Sequence, residues 1–145
     1  MSGPEPLIAI QVGDLQFTAR LERAGAPTTC DAFLRLLPLA GPLLQARWSG
    51  ESAWIPLGDF KVGVGFENHT SHPAPGHIIL YPGGISETEI LLAYGGVSFA
   101  SKVGQLAGNH FLTITKGEEN LEALGKLTLR KGAQDIVFAR KGRRE

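Results

Sequence analysis

Six side chains from three separated stretches have the chemistry of a small-molecule site: Arg47, Glu51, Tyr81, Glu89, Tyr94 and His110. A guanidinium is a rigid fork that grips a carboxylate or a carbonyl oxygen. Glu89 leads into the apolar run Ile90-Leu91-Leu92, where burial would raise its pKa and make it an acid or base near neutrality. His110 titrates in the same range and opens a strand, and Asn109 beside it can polarise a carbonyl. Trp48, Trp54, Tyr81 and Tyr94 can wall such a pocket. None of these residues is an activated nucleophile, so acid–base chemistry by Glu51, Glu89 or His110 is preferred to a covalent intermediate.

Each residue also has a plainer reading. Arg47 also reads as a solvated strand residue, Glu89 as an exposed strand start, and Asn109 with His110 as a turn and a strand edge. The paired glycines of Tyr81-Pro82-Gly83-Gly84 fit unusual backbone angles or a ligand approaching the chain. His69, His72 and His77 sit in or beside a Pro-rich stretch without spacing that aims them at one point, so no metal site is read there. Cys30 falls on an apolar helix face and reads as a core residue. The sequence contains no GxSxG, HExxH, Walker loop or strand-to-helix GxGxxG.

The elements that would position these groups follow from punctuation and period. Glycine and proline supply 19 and 9 of the 145 residues and cut the chain into short segments, which favours a β-rich fold. Leu15, Phe17, Ala19 and Leu21 alternate with polar neighbours, and Gly13-Asp14 joins them to residues 7–12 as a hairpin. Pro27 suits a first helical turn, and Cys30, Phe33, Leu34 and Leu37 then recur at i, i+3, i+4 and i+7 until Pro38 and Gly41. Further strands are expected at 43–48, 53–57, 60–66, 77–82, 88–95 and 110–115. Residues 67–76 read as an ordered loop, 118–131 as a second, shorter helix, and Ile136-Val137-Phe138 as a closing strand.

Composition narrows the function class. The chain is 43% hydrophobic and 19% charged, which fits one folded domain over 1–145. It has no apolar run long enough for a membrane helix and no signal-peptide layout, so no membrane partner and a cytoplasmic location are expected. A single cysteine excludes an internal disulfide framework. Formal charge is zero, but residues 1–115 hold 9 acidic and 6 basic side chains while 116–145 hold 5 and 8. Much of that excess lies in a basic tail over 140–145 with Arg140, Lys141, Arg143 and Arg144, read as a solvated terminus. Without a basic stripe interleaved with aromatics, nucleic acid is not an expected partner.

Taken together, the hairpin followed by Ala26-Pro27-Thr28-Thr29-Cys30-Asp31-Ala32-Phe33 is similar to the opening of the cyclophilins, where a strand leads into an APxTxxNF helix. In that family an Arg on the next strand contacts the substrate's prolyl carbonyl, and Arg47 falls in the comparable place. A closer likeness is to a family of small bacterial cyclophilin-like proteins, through ARWSGE at 46–51, PGHIILYPGGISETEILLAYG at 75–95 and GNHF at 108–111. The same domain type resembles the catalytic part of cucumopine and mikimopine synthases, which condense histidine with 2-oxoglutarate in a Pictet–Spengler-type cyclisation without a cofactor.

The resulting expectation is a mainly β, cyclophilin-like closed antiparallel barrel with one main helix and a shorter second one. The main helix should cover one opening, and a barrel mouth should hold the pocket. The expected function is a cofactor-independent enzyme or binder for a carboxylate- or carbonyl-bearing small molecule. Arg47, Trp48, Trp54, Tyr81, Tyr94 and Asn109 would bind it, and a second copy of the chain, in a homo-oligomer, is the other partner considered. The rival readings are a prolyl isomerase and a non-catalytic, self-associating domain.

Overall fold

The computed structural model describes residues 5–141. Eleven strands occur in the order β1 (Leu7–Val12), β2 (Leu15–Leu21), β3 (Leu39–Gln45), β4 (Gly50–Gly58), β5 (His69–Thr70), β6 (His77–Tyr81), β7 (Thr88–Val97), β8 (Ala100–Ser101), β9 (Gly104–Gln105), β10 (Gly108–Lys116) and β11 (Gln134–Lys141). Helix α1 (Pro27–Leu36) lies between β2 and β3, and a 3₁₀ turn (Glu118–Asn120) leads into α2 (Leu121–Lys131) before β11. The main sheet runs β2-β1-β11-β3-β4-β7-β6-β10, and β10 pairs back with β2. All these ladders are antiparallel, so eight strands close into a barrel without open edges. The short β5 adds to β10, and β8–β9 form a separate hairpin. This is the mainly β, closed barrel with two helices that the sequence predicts, consistent with a cyclophilin-like barrel, although α2, at 11 residues, is not shorter than α1, at 10.

The barrel is filled, not hollow. Ile8, Ile10, Phe17, Ile55, Ile78, Leu80, Ile90, Leu92, Leu112 and Phe138 belong to one buried cluster. Helix α1 seats at the end where β2 finishes, with Phe33 fully buried and its ring 4.9 Å from Phe111 and 5.5 Å from Phe138. Its periodic face is the one that Cys30, Phe33, Leu34 and Leu37 define, with Leu34 and Leu37 partly buried against the core. Helix α2 packs on β3, β4, β7 and β11 at the other end, inserting Leu121 and Leu124. Both openings are therefore stoppered by apolar side chains, and the expected pocket at a barrel mouth is not where the fold leaves space.

Three segments depart from the sequence reading. The strand expected at 43–48 runs instead from Leu39 to Gln45, so it includes Gly41 and Pro42. Pro42 is tolerated because β3 pairs there with β11 alone, its bonds to β4 beginning at Leu44. Residues 60–66 form no strand; Gly63 adopts φ +83°, and Val62 and Val64 pack on the core as the chain crosses it. The loop at 67–76 contains the two-residue β5. Arg140 and Lys141 belong to β11, whereas Arg143 and Arg144 lie outside the described residues.

Candidate functional site

Strand alternation sends every second residue of β4, β6 and β7 outward. Trp54, Ile79, Tyr81 and Leu91 are such residues, and they would be an exposed apolar patch on a bare barrel. The β8–β9 hairpin covers them, delivering Phe99 and Leu106 into a second buried cluster with Ala46, Ile79, Tyr81 and Leu91. The cover is pinned by backbone and hydroxyl bonds. Ser49 Oγ donates to the Ala100 carbonyl and accepts from its N–H, each at 3.0 Å. Ser71 Oγ donates to the Leu106 carbonyl at 2.7 Å, and the Phe99 N–H reaches the Ser71 carbonyl.

At the margin of this second cluster the cover leaves a cavity of about 260 Å³. Arg47, Trp48, Trp54 and Glu89 line it, joined by Ser86, Glu87, Ser101 and Lys102. Arg47 lies in the bend between β3 and β4, not on a strand. Its Cζ stands 5.1 Å from the Trp48 ring centroid, a cation–π contact that orients the guanidinium beside the cavity. Trp54 pairs across to Leu91 and supplies the second indole.

Glu89 gives the cavity its chemistry. It sits on β7 between Pro56 of β4 and Tyr81 of β6, and it is only 8% exposed. Among the described residues its carboxylate makes no hydrogen bond or ion pair. Burial, with a smaller contribution from the negative charge of Glu87, pushes its pKa up to about 8. At neutral pH the group is therefore largely protonated, a proton donor held in a site whose other wall carries cations.

Tyr81 and the glycines after it shape the same region indirectly. The Tyr81 ring packs edge-on to Phe99, and its hydroxyl accepts the Ile85 N–H at 3.2 Å. The intervening chain folds back through Gly83 at φ +99° and Gly84 at φ +138°, angles open to glycine alone at little cost. A Cβ on Gly84 would stand 3.2 Å from the Tyr81 hydroxyl. This fold-back places Ser86 and Glu87 at the cavity.

The other expected site residues lie elsewhere. His110 pairs with Ile79 on β6, and Ile79 in turn pairs with Leu91, so an apolar strand separates the imidazole from the cavity. Its ring stacks on His77, 4.0 Å between centroids and 11° from parallel. Its Nε2 bonds Thr113 Oγ1 at 2.8 Å, and that hydroxyl donates to Glu22 Oε2 at 2.5 Å. Burial and then the neighbouring His77 lower the His110 pKa, and burial lowers that of His77. Tyr94 donates to Gln45 Oε1 at 2.7 Å beneath α2, where Gly125 leaves room for its ring. Glu51 Oε1 accepts the Gly96 N–H at 2.9 Å on the exposed β4–β7 margin.

Asn109 is fully buried at the α1 end. Its amide donates to Thr29 Oγ1 and the Gly65 carbonyl, and its oxygen accepts the Glu67 N–H. Glu67 Oε2 completes the knot by accepting the N–H and hydroxyl of Thr29 in the first turn of α1. Arg47 and His110 thus do not face one substrate, and of the six polar residues first grouped together Arg47 and Glu89 share the cavity. Ser86 and Glu87 lie in the same segment as Glu89, whereas Ser101 and Lys102 escape a sequence reading, since nothing local marks Ala100–Gln105 as a hairpin that folds over a distant sheet face.

A closed eight-stranded barrel, plugged by two helices and carrying a covered cavity on its outer face, is the class of protein that these observations define. The chain belongs to the DUF3830 family of proteins of unknown function, which it matches over residues 8–140. Its fold is shared by solved structures, two of which show the range. One is the structure of McbB in complex with tryptophan, 17% identical with a TM-score of 0.72; the match covers 95% of this chain and 46% of McbB, so this chain spans less than half of that protein. The other is the solution structure of the hypothetical protein AF2241 from Archaeoglobus fulgidus, 20% identical with a TM-score of 0.64, covering 97% of this chain and 98% of that one. No curated protein matches the sequence.

Proposed function

We propose that the outer-face cavity binds a small carboxylate- or carbonyl-bearing molecule and that Glu89 exchanges a proton with it. The observation that carries this reading is the buried, protonated Glu89 in the same cavity as Arg47, Lys102 and two indoles. Arg47 anchors the anionic group, Trp48 and Trp54 flank its apolar body, and Glu89 acts as general acid at neutral pH. Tyr81 is a positioning residue, because it holds the turn that brings Glu87 near Glu89. Tryptophan in the McbB structure, a molecule with both a carboxylate and a ring, supports the ligand class.

A Pictet–Spengler-type condensation is the reaction this site suits best. An amine adds to a carbonyl and loses water to give an iminium, a ring carbon attacks it, and that carbon then sheds its proton. Glu89 as the acid protonates the departing hydroxyl, and as the carboxylate so formed it removes the ring proton. The group ends as it began.

The test is an NMR titration of ¹⁵N-labelled protein with tryptophan and, separately, with pyruvate. The expected result is amide shifts gathered at Ser86, Ser101 and Lys102, with affinity at least tenfold weaker in Arg47→Ala. Shifts gathered elsewhere, or none with either probe, would overturn the proposal.

A further inference from the structure

The loop joining β5 to β6 touches both the cover of the Glu89 cavity and the histidine stack. At its start, Ser71 clasps the β8–β9 cover: its hydroxyl donates to the Leu106 carbonyl at 2.7 Å, and its carbonyl accepts the Phe99 N–H at 2.7 Å. At its end, the loop folds onto His77. The Ala74 carbonyl accepts the His77 N–H at 2.9 Å, and the Ala74 N–H donates to His77 Nδ1 at 3.3 Å. His72 and Pro73 alone separate the clasp from Ala74. Pro73 is buried and its ring fixes one backbone torsion, so a shift at Ala74 carries to Ser71 with little slack.

The bond from Ala74 settles which nitrogen of His77 is bare. Nδ1 accepts, so the proton of the neutral ring is on Nε2. A second proton can go only to Nδ1, where it would face the Ala74 N–H, donor against donor. The ring cannot turn away without leaving His110, on which it stacks at 4.0 Å and 11° from parallel. His110 is held in its turn, since Thr113 Oγ1 gives its proton to Glu22 and therefore accepts from His110 Nε2. The charges that reach the pair come from the β2 side: Glu22 favours a cation there and Arg20 opposes it. On the β7 side stands Ala93, whose carbonyl accepts the Gly76 N–H.

We propose that His77 is an acid-sensitive latch on the β8–β9 cover: protonation at Nδ1 expels Ala74, withdraws Ser71 from Phe99 and Leu106, and opens the cavity wall at Ser101 and Lys102. As regulation of ligand binding this rests on the proposed function of the Glu89 cavity, whereas the latch itself belongs to the unliganded chain. Proton uptake shifts the equilibrium only by its preference for the open form, in which His77 regains its ordinary pKa of 6.5. For one histidine, between about pH 7 and about pH 5.5, that limit is about eightfold. Glu89 is already largely protonated at the upper end of this window and so does not generate the change.

Amide hydrogen exchange of the unliganded protein, corrected for the intrinsic pH dependence of exchange, tests the latch. Protection of the Phe99 N–H should fall about fivefold from about pH 7 to about pH 5.5, close to the limit for one histidine, while the β1–β11 ladder keeps its protection. His77→Asn, whose Oδ1 replaces Nδ1 as acceptor and takes no proton, should show no fall. Ser71→Ala, which removes the bond to Leu106, should lower Phe99 protection already at neutral pH. Constant Phe99 protection in the unaltered chain, an equal fall in His77→Asn, or a fall shared by the whole barrel would overturn the proposal. Titration of the same samples with tryptophan separates the two readings. Its affinity should drop by the same factor in the unaltered chain and hold in His77→Asn, and binding that ignores pH while Phe99 is released would overturn the regulation. No binding at any pH, with Phe99 still released by acid, would overturn the ligand reading of the cavity and support the latch.

Discussion

Two polar regions decorate the outside of the same barrel and solve the problem of burial in opposite ways. Around His110 every charge is answered. Glu22 receives Thr113 and Arg20, Thr113 receives His110, and His110 stacks on His77. Burial works against the Glu22 carboxylate, but the Thr113 hydroxyl and the Arg20 charge more than offset it and hold its pKa below the usual range. Around Glu89 the opposite holds: the carboxyl is buried against apolar strands, and Glu87 adds repulsion where a cation would have stabilised it. A satisfied network is an ordinary structural device, whereas an unanswered carboxyl beside an open cavity is a cost the fold bears at a site where a ligand can relieve it.

The barrel that holds both regions sets the scale of any perturbation. Phe33→Ala should cost about 3–5 kcal/mol, because a fully buried ring in contact with Phe111 and Phe138 leaves a cavity when truncated. Denaturant unfolding measures it, and a loss below about 1 kcal/mol would show that α1 is not a plug.

The next effect separates the two regions by pH. Glu89 binds its proton more tightly folded than unfolded, so its contribution to stability is present below the unfolded carboxylate range. That contribution is lost as pH rises from about 4.5 through about 8, at roughly 1.4 kcal/mol per unit of displacement. Glu89→Gln should flatten stability over that window. The histidines run the other way: their folded pKa values are lowered, so their contribution falls as pH drops below the unfolded value near 6.5. His110→Gln should remove its share of the slope below pH 6.5, His77 keeping its own, and leave the Glu89 slope untouched. Identical pH profiles for both variants would erase the distinction between the regions.

Smaller still is the effect of loosening the knot at the α1 end. Asn109→Ala should cost about 1–3 kcal/mol by orphaning the Gly65 carbonyl and the Glu67 N–H, and it should raise amide exchange at 65–67 without changing ligand affinity at Arg47. Prolyl isomerase activity is predicted to be negligible, and acceleration of X-Pro exchange that disappears in Arg47→Ala would contradict that.

Much of this architecture is legible in the sequence because it is written in short-range patterns. The i, i+3, i+4, i+7 face of α1 and the alternation of β2 need no partner to be read. Glu89 is legible too, as an acid abutting an apolar run. What escapes is set by residues distant in the chain. Residues 60–66 look like a strand, yet Asn109 bonds the Gly65 carbonyl and the adjacent Glu67 bonds Thr29, which ties the segment down as a loop. His110 and Tyr94 look reactive in isolation, but His77, Thr113 and Gln45 engage them. Arg47 looks like a strand residue, but β3 ends at Gln45 and leaves it in a bend.

The central claim is that Glu89 holds its proton at neutral pH within a ligand cavity. A ¹³C carboxyl NMR titration of selectively labelled protein tests it directly. The account predicts a Glu89 midpoint near 8, moved by Glu87→Gln towards the ordinary range, while the Glu22 midpoint lies below that range. A Glu89 midpoint between about 4 and 5, the value of a solvated glutamate, would contradict it.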